Sequence, residues 1–195
     1  MSKADPESSK RERNKNTTWV ISIFLITMFV SGVISLLSDA LMSNSSIIVA
    51  FLILLIIILV GIIFDVIGMA VATADEKPFH AMAARKVPGA KESIKLLRNA
   101  ERVSSICNDV VGDICGVVSG SASATIAAQV LRNFDFSWPQ LVTLLMSALA
   151  AGLTVGGKAI GKIVAVNSCT EIVYWVGQLL CWFHDLPKAF GKRNR

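Results

Sequence analysis

The chain has 195 residues, 53% of them hydrophobic and 17% charged, and a mean hydropathy of +0.61 is too high for an ordinary soluble domain of this size. The net charge of +5 sits in the two tails and one loop rather than on a globular face, so it reads as a membrane-orientation signal and excludes a nucleic-acid partner. Cys107, Cys115, Cys169 and Cys181 form no CxxC pair, and with only His80 and His184 beside them there is no zinc constellation, which leaves packed or interfacial free thiols.

Residues 1–17, with Lys3, Lys10, Arg11, Arg13 and Lys15, read as a disordered basic tail. An apolar run from Trp19 to Leu37 follows. It lacks the short core and small-residue cleavage site of a secretory signal, so 18–42 is expected to be a retained membrane helix. The second crossing, 47–73, is almost wholly aliphatic from Ile47 to Phe64, continues through Asp65, and is long enough for a hydrocarbon core of about 30 Å.

From 75 to 102 the composition turns basic, with Lys77, Arg85, Lys86, Lys91, Lys95, Arg98 and Arg102 interleaved with acids. Pro78, Pro88 and Gly89 divide the stretch into short helices lying on the membrane surface. The third crossing spans 103–131 and the fourth 139–166, with Pro139 suited to a helix start. Residues 171–195 hold Tyr174, Trp175, Trp182 and Phe183 in an apolar run too short to span, so they read as an interfacial helix ending in Lys188, Lys192, Arg193 and Arg195.

The link Ser38–Ser46 has no Lys or Arg and the link 132–138 has only Arg132, whereas both tails and the middle loop are basic. The positive-inside rule therefore places both termini and the 75–102 loop in the cytoplasm of a multi-pass protein of the cell membrane. The predicted fold class is all-α: four transmembrane helices, a cytoplasmic helical belt and a C-terminal interfacial helix.

The third crossing carries the most chemistry. At 100° per residue, Ser105, Asp109, Gly112, Asp113, Gly116, Gly120, Ser123 and Ala127 share one narrow face, with Val110, Val111, Ile114 and Val118 on the lipid side. Gly112, Gly116 and Gly120 form a small-residue ladder suited to close helix packing, and packing alone is the commoner role of such a ladder. A charged side chain in hydrocarbon costs about 2.5–3.5 kcal/mol even on the lenient insertion scale, so aspartates there face a partner, a cavity or an ion path.

Counted inward from the cytoplasmic ends, Asp109 lies about 9 Å deep and Asp65 and Lys158 about 12 Å, a common level. Lys158 and Lys162 share a side of the fourth crossing, where Gly156, Gly157 and Gly161 loosen the helix. Asp65, Ser105, Asn108, Asp109 and Asp113 offer hard oxygen ligands of the sort Mg²⁺ takes. Alternatively, Lys158 neutralises Asp109 or Asp65 and the pair fixes helix register. No G-x-S-x-G, P-loop or H-E-x-x-H occurs, so no enzyme and no organic cofactor are expected, and His80 reads as solvated.

The stretch GAKESIKLLRNAERVSS at 89–105 is similar to the Gly-Ala-Lys, Leu-Leu, Asn-x-Glu-Arg pattern that enters the second core helix of the CorC and cyclin-M (CNNM) family of magnesium and cobalt transporters. KAIGKIVAVN at 158–167 resembles that family's Glu-x-x-Pro-Lys-x-x-Ala turn. The likeness covers 47–185 and implies a 47–170 core of three crossings, a homodimer, and a Mg²⁺ site in the cytoplasmic half.

Three departures stand out. The family's Ser-Glu-Thr falls at Ile67, Gly68 and Met69, its Asn pair near Val111 and Gly112, and its turn acid, proline and lysine at Lys158, Gly161 and Lys162. A metal ligand has thus become a cation, a counter-charge that competes with or replaces the metal. The CBS-domain pair that follows the family's core has no counterpart before Arg195, so nucleotide-linked regulation is not expected within this polypeptide.

The function expected is divalent-cation transport or homeostasis, Mg²⁺ first and Co²⁺ second, with membrane lipid, a second copy of the chain and a separate cytoplasmic regulatory protein as partners. The alternative is a transport-silent scaffold in which Lys158 replaces the metal.

Overall fold

The computed structural model describes the backbone of residues 6–43, 45–134 and 138–191, with side chains over 17, 21–42, 45–134 and 138–183. Among the described residues four helices are long and apolar enough to cross a membrane. Helix α1 runs Pro6–Ser43, α2 Ile47–Thr73, and α7 Pro139–Asn167. The third crossing, Ala100–Asn133, is one continuous helix made of α5 (Ala100–Ser105), a π-helical segment (Ile106–Gly112) and α6 (Asp113–Asn133). The short helices α3 (Lys77–Ala84) and α4 (Ala90–Arg98) precede it, and α8 (Cys169–Gly191) closes the chain.

Local chemistry explains most of the boundaries. Ser46 caps α2 by accepting the Val49 N–H, and Pro139 opens α7, where its missing N–H is not needed. Gly89 stands ahead of α4 at φ 84°, a conformation side chains resist, and a Cβ there would lie 2.7 Å from the backbone of Gln178. Helix α1 begins at Pro6, inside the tail expected to be disordered over 1–17. The run Glu7–Arg13 consists largely of good helix formers, and a helix already nucleated by the membrane run extends at little cost. The side chain of Lys188 and residues 192–195, read as the basic end of the interfacial helix, lie outside the described residues.

Two apolar clusters hold the bundle. One joins Met42, Ala50, Leu54, Ile58, Ala122, Ile126 and Ala150, near the α1–α2 turn. The other joins Ala70, Val71, Phe79, Leu97, Ala165 and Val173, where α3, α4 and α8 close over the far ends of α2 and α7. There Ser93 Oγ donates to the Val173 carbonyl at 3.1 Å, and Gly177 admits the close approach of α4 to α8. Trp175, Leu179, Trp182 and Phe183 stay exposed on α8, an aromatic face suited to a bilayer interface.

The third crossing is central, packed against α1, α2 and α7, and 44% of its apolar window is buried against 6–22% for the other three. This corrects the two-sided projection. Ile114 and Val118, expected toward lipid, are buried, and the expected narrow face divides. Gly112, Ser123 and Ala127 turn inward while Asp109, Asp113 and Gly120 turn outward. A helix with neighbours on three sides buries a broad arc rather than a stripe, and a π turn closing i→i+5 breaks the 100° register at its start.

Candidate functional site

Between the two apolar clusters lies a polar locus built by α2, the π-helical segment and α7. Gly61, Asp65 and Gly68 recur at intervals of four and three on one face of α2. The glycines let the third crossing approach closely. A Cβ at Gly61 would sit 2.8 Å from Cys115 Cβ, and one at Gly68 would fall on Asn108 Oδ1 and 3.0 Å from Cys107 Cβ. Between them Asp65 is 4% exposed, its carboxylate confined by the two helices.

Lys158 of α7 completes the locus. Its Nζ lies 3.7 Å from Asp65 Oδ1 and donates to the Gly112 carbonyl at 3.4 Å. A Cβ at Gly112 would lie 3.2 Å from that ammonium, so glycine there is what admits the lysine head. Gly157 and Gly161 accommodate Ile62 and Val66 of α2, which seats α7 at the right depth.

The locus is incompletely satisfied. Asp65 Oδ2 is buried without a hydrogen-bond partner, and so is Asn108 Oδ1, whose amide nitrogen donates to Ser104 Oγ at 3.3 Å. An unmet buried polar group costs about 1–3 kcal/mol, more when charged. These two oxygens, on the facing sides of α2 and the third crossing, are unmet acceptors that call for a donor or a cation.

The remaining residues expected at the site are placed elsewhere. Ser105 Oγ donates to Asp109 Oδ2 at 2.8 Å, but Asp109 is exposed on the outer face of the third crossing, and Asp113 is exposed one turn further on. Lys162 is exposed on α7. Gly116, Gly120 and Gly156 meet nothing within 4 Å, unlike Gly112, Gly157 and Gly161. His80 is exposed beside Glu76 at 3.3 Å, and Cys107, Cys115 and Cys169 are free thiols. Among the described residues no three His, Cys, Asp or Glu side chains converge on a metal-sized site, so any ion held here would rest on one carboxylate and neutral oxygens.

Two features escaped the sequence reading. The first is the α2 face itself, signalled by the spacing of Gly61, Asp65 and Gly68. The second is a polar seam joining α1 to α6: Ser35 pairs with Ser121 at 3.3 Å, Thr125 donates to Asp39 at 3.3 Å, and Gln129, buried to 5%, donates to the Met42 carbonyl. Polar residues at steps of four in both apolar runs were its signal.

Compared with protein-family models, with curated proteins and with solved structures, the chain finds no match.

Proposed function

We propose that this all-helical membrane protein handles divalent cations, Mg²⁺ first and Co²⁺ second, at the Asp65–Asn108–Gly112 locus. The observation that carries the reading is Asp65, a carboxylate buried among membrane-spanning helices with one oxygen unpartnered. Acids at such positions mark ion paths or fixed pairs. The donor set of one carboxylate, an amide oxygen and a backbone carbonyl is hard and oxygen-rich, as Mg²⁺ requires, and Mg²⁺ keeps several waters rather than demanding a full protein cage. The π-helical segment adds support, since such segments recur at functional sites.

In this reading the chain is a non-enzymatic, CorC- and cyclin-M-like transport or homeostasis protein of the cell membrane, with both termini cytoplasmic. It works as a homodimer and answers to a separate cytoplasmic regulatory protein. Asp65 and Asn108 carry the ion contacts, whereas Ser105, Asp109 and Asp113 line the outer face and are not the primary ligands.

A second reading has one specific observation in its favour. Lys158 already neutralises Asp65, as it would in a transport-silent scaffold whose polar locus only fixes helix register. Flux separates the two. Purified protein in liposomes loaded with a Mg²⁺-sensitive dye is expected to carry Mg²⁺, and Asp65→Asn to reduce that flux at least about tenfold, the scale of losing a charged ligand. Equal flux from wild type, Asp65→Asn and empty liposomes would establish the scaffold.

A further inference from the structure

We propose that Lys158 is an internal competitor for the cation locus, its ammonium holding the place beside Asp65 until an incoming divalent cation displaces it. The inference rests on the cation-handling reading above and adds the regulation of that site.

The two partners of the pair are held very differently. The Asp65 carboxylate is fixed on a short side chain between Gly61 and Gly68, where the third crossing touches α2. The ammonium rides on a flexible four-carbon stem with a side chain 21% exposed, and its two contacts, at 3.7 and 3.4 Å, are both long. Around its root Gly156 faces open space, so the stem has room to leave on that side.

Occupancy by lysine also leaves the locus unfinished. The ammonium lies beside Oδ1 only, and Asp65 Oδ2 and Asn108 Oδ1 stay unmet. A divalent cation with its retained waters can engage several oxygens at once and supply donors to the rest, which one ammonium at this position does not do. The ion and the ammonium carry like charge within the same few ångströms, so they exclude each other. Ion affinity in the wild-type chain is therefore set low by the lysine it must displace, and leaving the site restores the ion pair, which favours release.

The test measures equilibrium binding of Co²⁺ and of Mg²⁺ to the full chain in lipid nanodiscs by calorimetry, with thermal unfolding recorded alongside. Lys158→Met is expected to bind Co²⁺ at least about tenfold more tightly than wild type, one decade being the smallest change that a lost competing charge should produce. It should also unfold at a lower temperature without the ion and regain stability as Co²⁺ is added. Lys158→Arg keeps the charge and is expected to bind no more tightly than wild type. Lys158→Gln is also neutral but keeps a polar amide, and it serves as the neutral variant should Lys158→Met fail to fold. Asp65→Asn combined with Lys158→Met is expected to lose the tight binding.

If the neutral variants bind no more tightly than wild type while Asp65→Asn still abolishes binding, the competitor idea is overturned and the cation-handling reading stands. If no variant binds either ion, both fall.

Discussion

Asp65 shows how a single residue gains meaning from its neighbours. In the sequence it is one acid in an aliphatic run, and a lone acid near a membrane end ordinarily snorkels or pairs. In the fold it is buried, paired on one oxygen and unpaired on the other. Removing Lys158 alone strands that carboxylate, a change that costs about 3–5 kcal/mol for a buried pair broken on one side. The sequence already indicated that Asp65 and Lys158 share a depth, because both lie at similar counts from their helix ends. It did not separate Asp65 from Asp109 and Asp113, because depth along a helix says nothing about which way a side chain faces.

Gly68 supplies the sharpest packing prediction at this scale. A methyl group there would fall on Asn108 Oδ1, and that amide is held between α2 and Ser104. Gly68→Ala is expected to destabilise the protein by about 1–3 kcal/mol, as overpacking does. Asn108→Ala in the same chain should recover part of that loss, since adjacent residues couple. Thermal or denaturant unfolding of the two single variants and the double variant measures the coupling. Additive effects would mean that the two residues do not touch.

Among the elements, helix positions were legible and helix faces were not. The second crossing was expected at 47–73 and is found at Ile47–Thr73, because an uninterrupted aliphatic run between a serine cap and a polar break leaves little choice of ends. The fourth, expected at 139–166, starts at Pro139, a favoured first helical residue, and ends one residue later than expected at Asn167. The third, expected at 103–131, runs Ala100–Asn133, and its rotation was not legible, since a helix packed on three sides and containing a π turn does not obey a simple wheel.

Asp109, Asp113 and Gly120 form an outward stripe, with Gly116 half-buried beside it, that no other helix covers among the described residues. Small residues on such a stripe favour close approach of another helix, and carboxylates disfavour lipid. If a second copy packs there, Gly116→Leu should shift the detergent-solubilised protein from dimer to monomer in analytical ultracentrifugation. A Cβ at Gly116 meets nothing within 4 Å, and thermal unfolding of the variant alongside checks that the fold is kept. An unchanged sedimentation profile would remove this face as the dimer interface.

For the molecule as a whole, the two apolar clusters and the polar locus between them give a simple division of labour. The cluster around Leu54 and Ile126 and the cluster around Phe79 and Val173 fix α2 and α7, with the third crossing between them, at both ends. Asp65, Gly112 and Lys158 lie in the intervening layer, outside both apolar clusters. The α1–α6 seam adds a third tie, which joins α1 to the bundle. Composition alone made the membrane class legible, whereas polar residues at steps of four mark a face of each helix without saying which distant segment meets it, so the pairings in the seam and the layer were not.

The most direct test is the position of a bound ion. In crystals of the Lys158→Met chain grown with Co²⁺, an anomalous difference map should show one strong peak about 2.1 Å from an Asp65 carboxylate oxygen, within reach of Asn108. A peak at Asp109 and Asp113 instead, or no peak at all, would contradict the assignment of the Asp65 locus as the cation site.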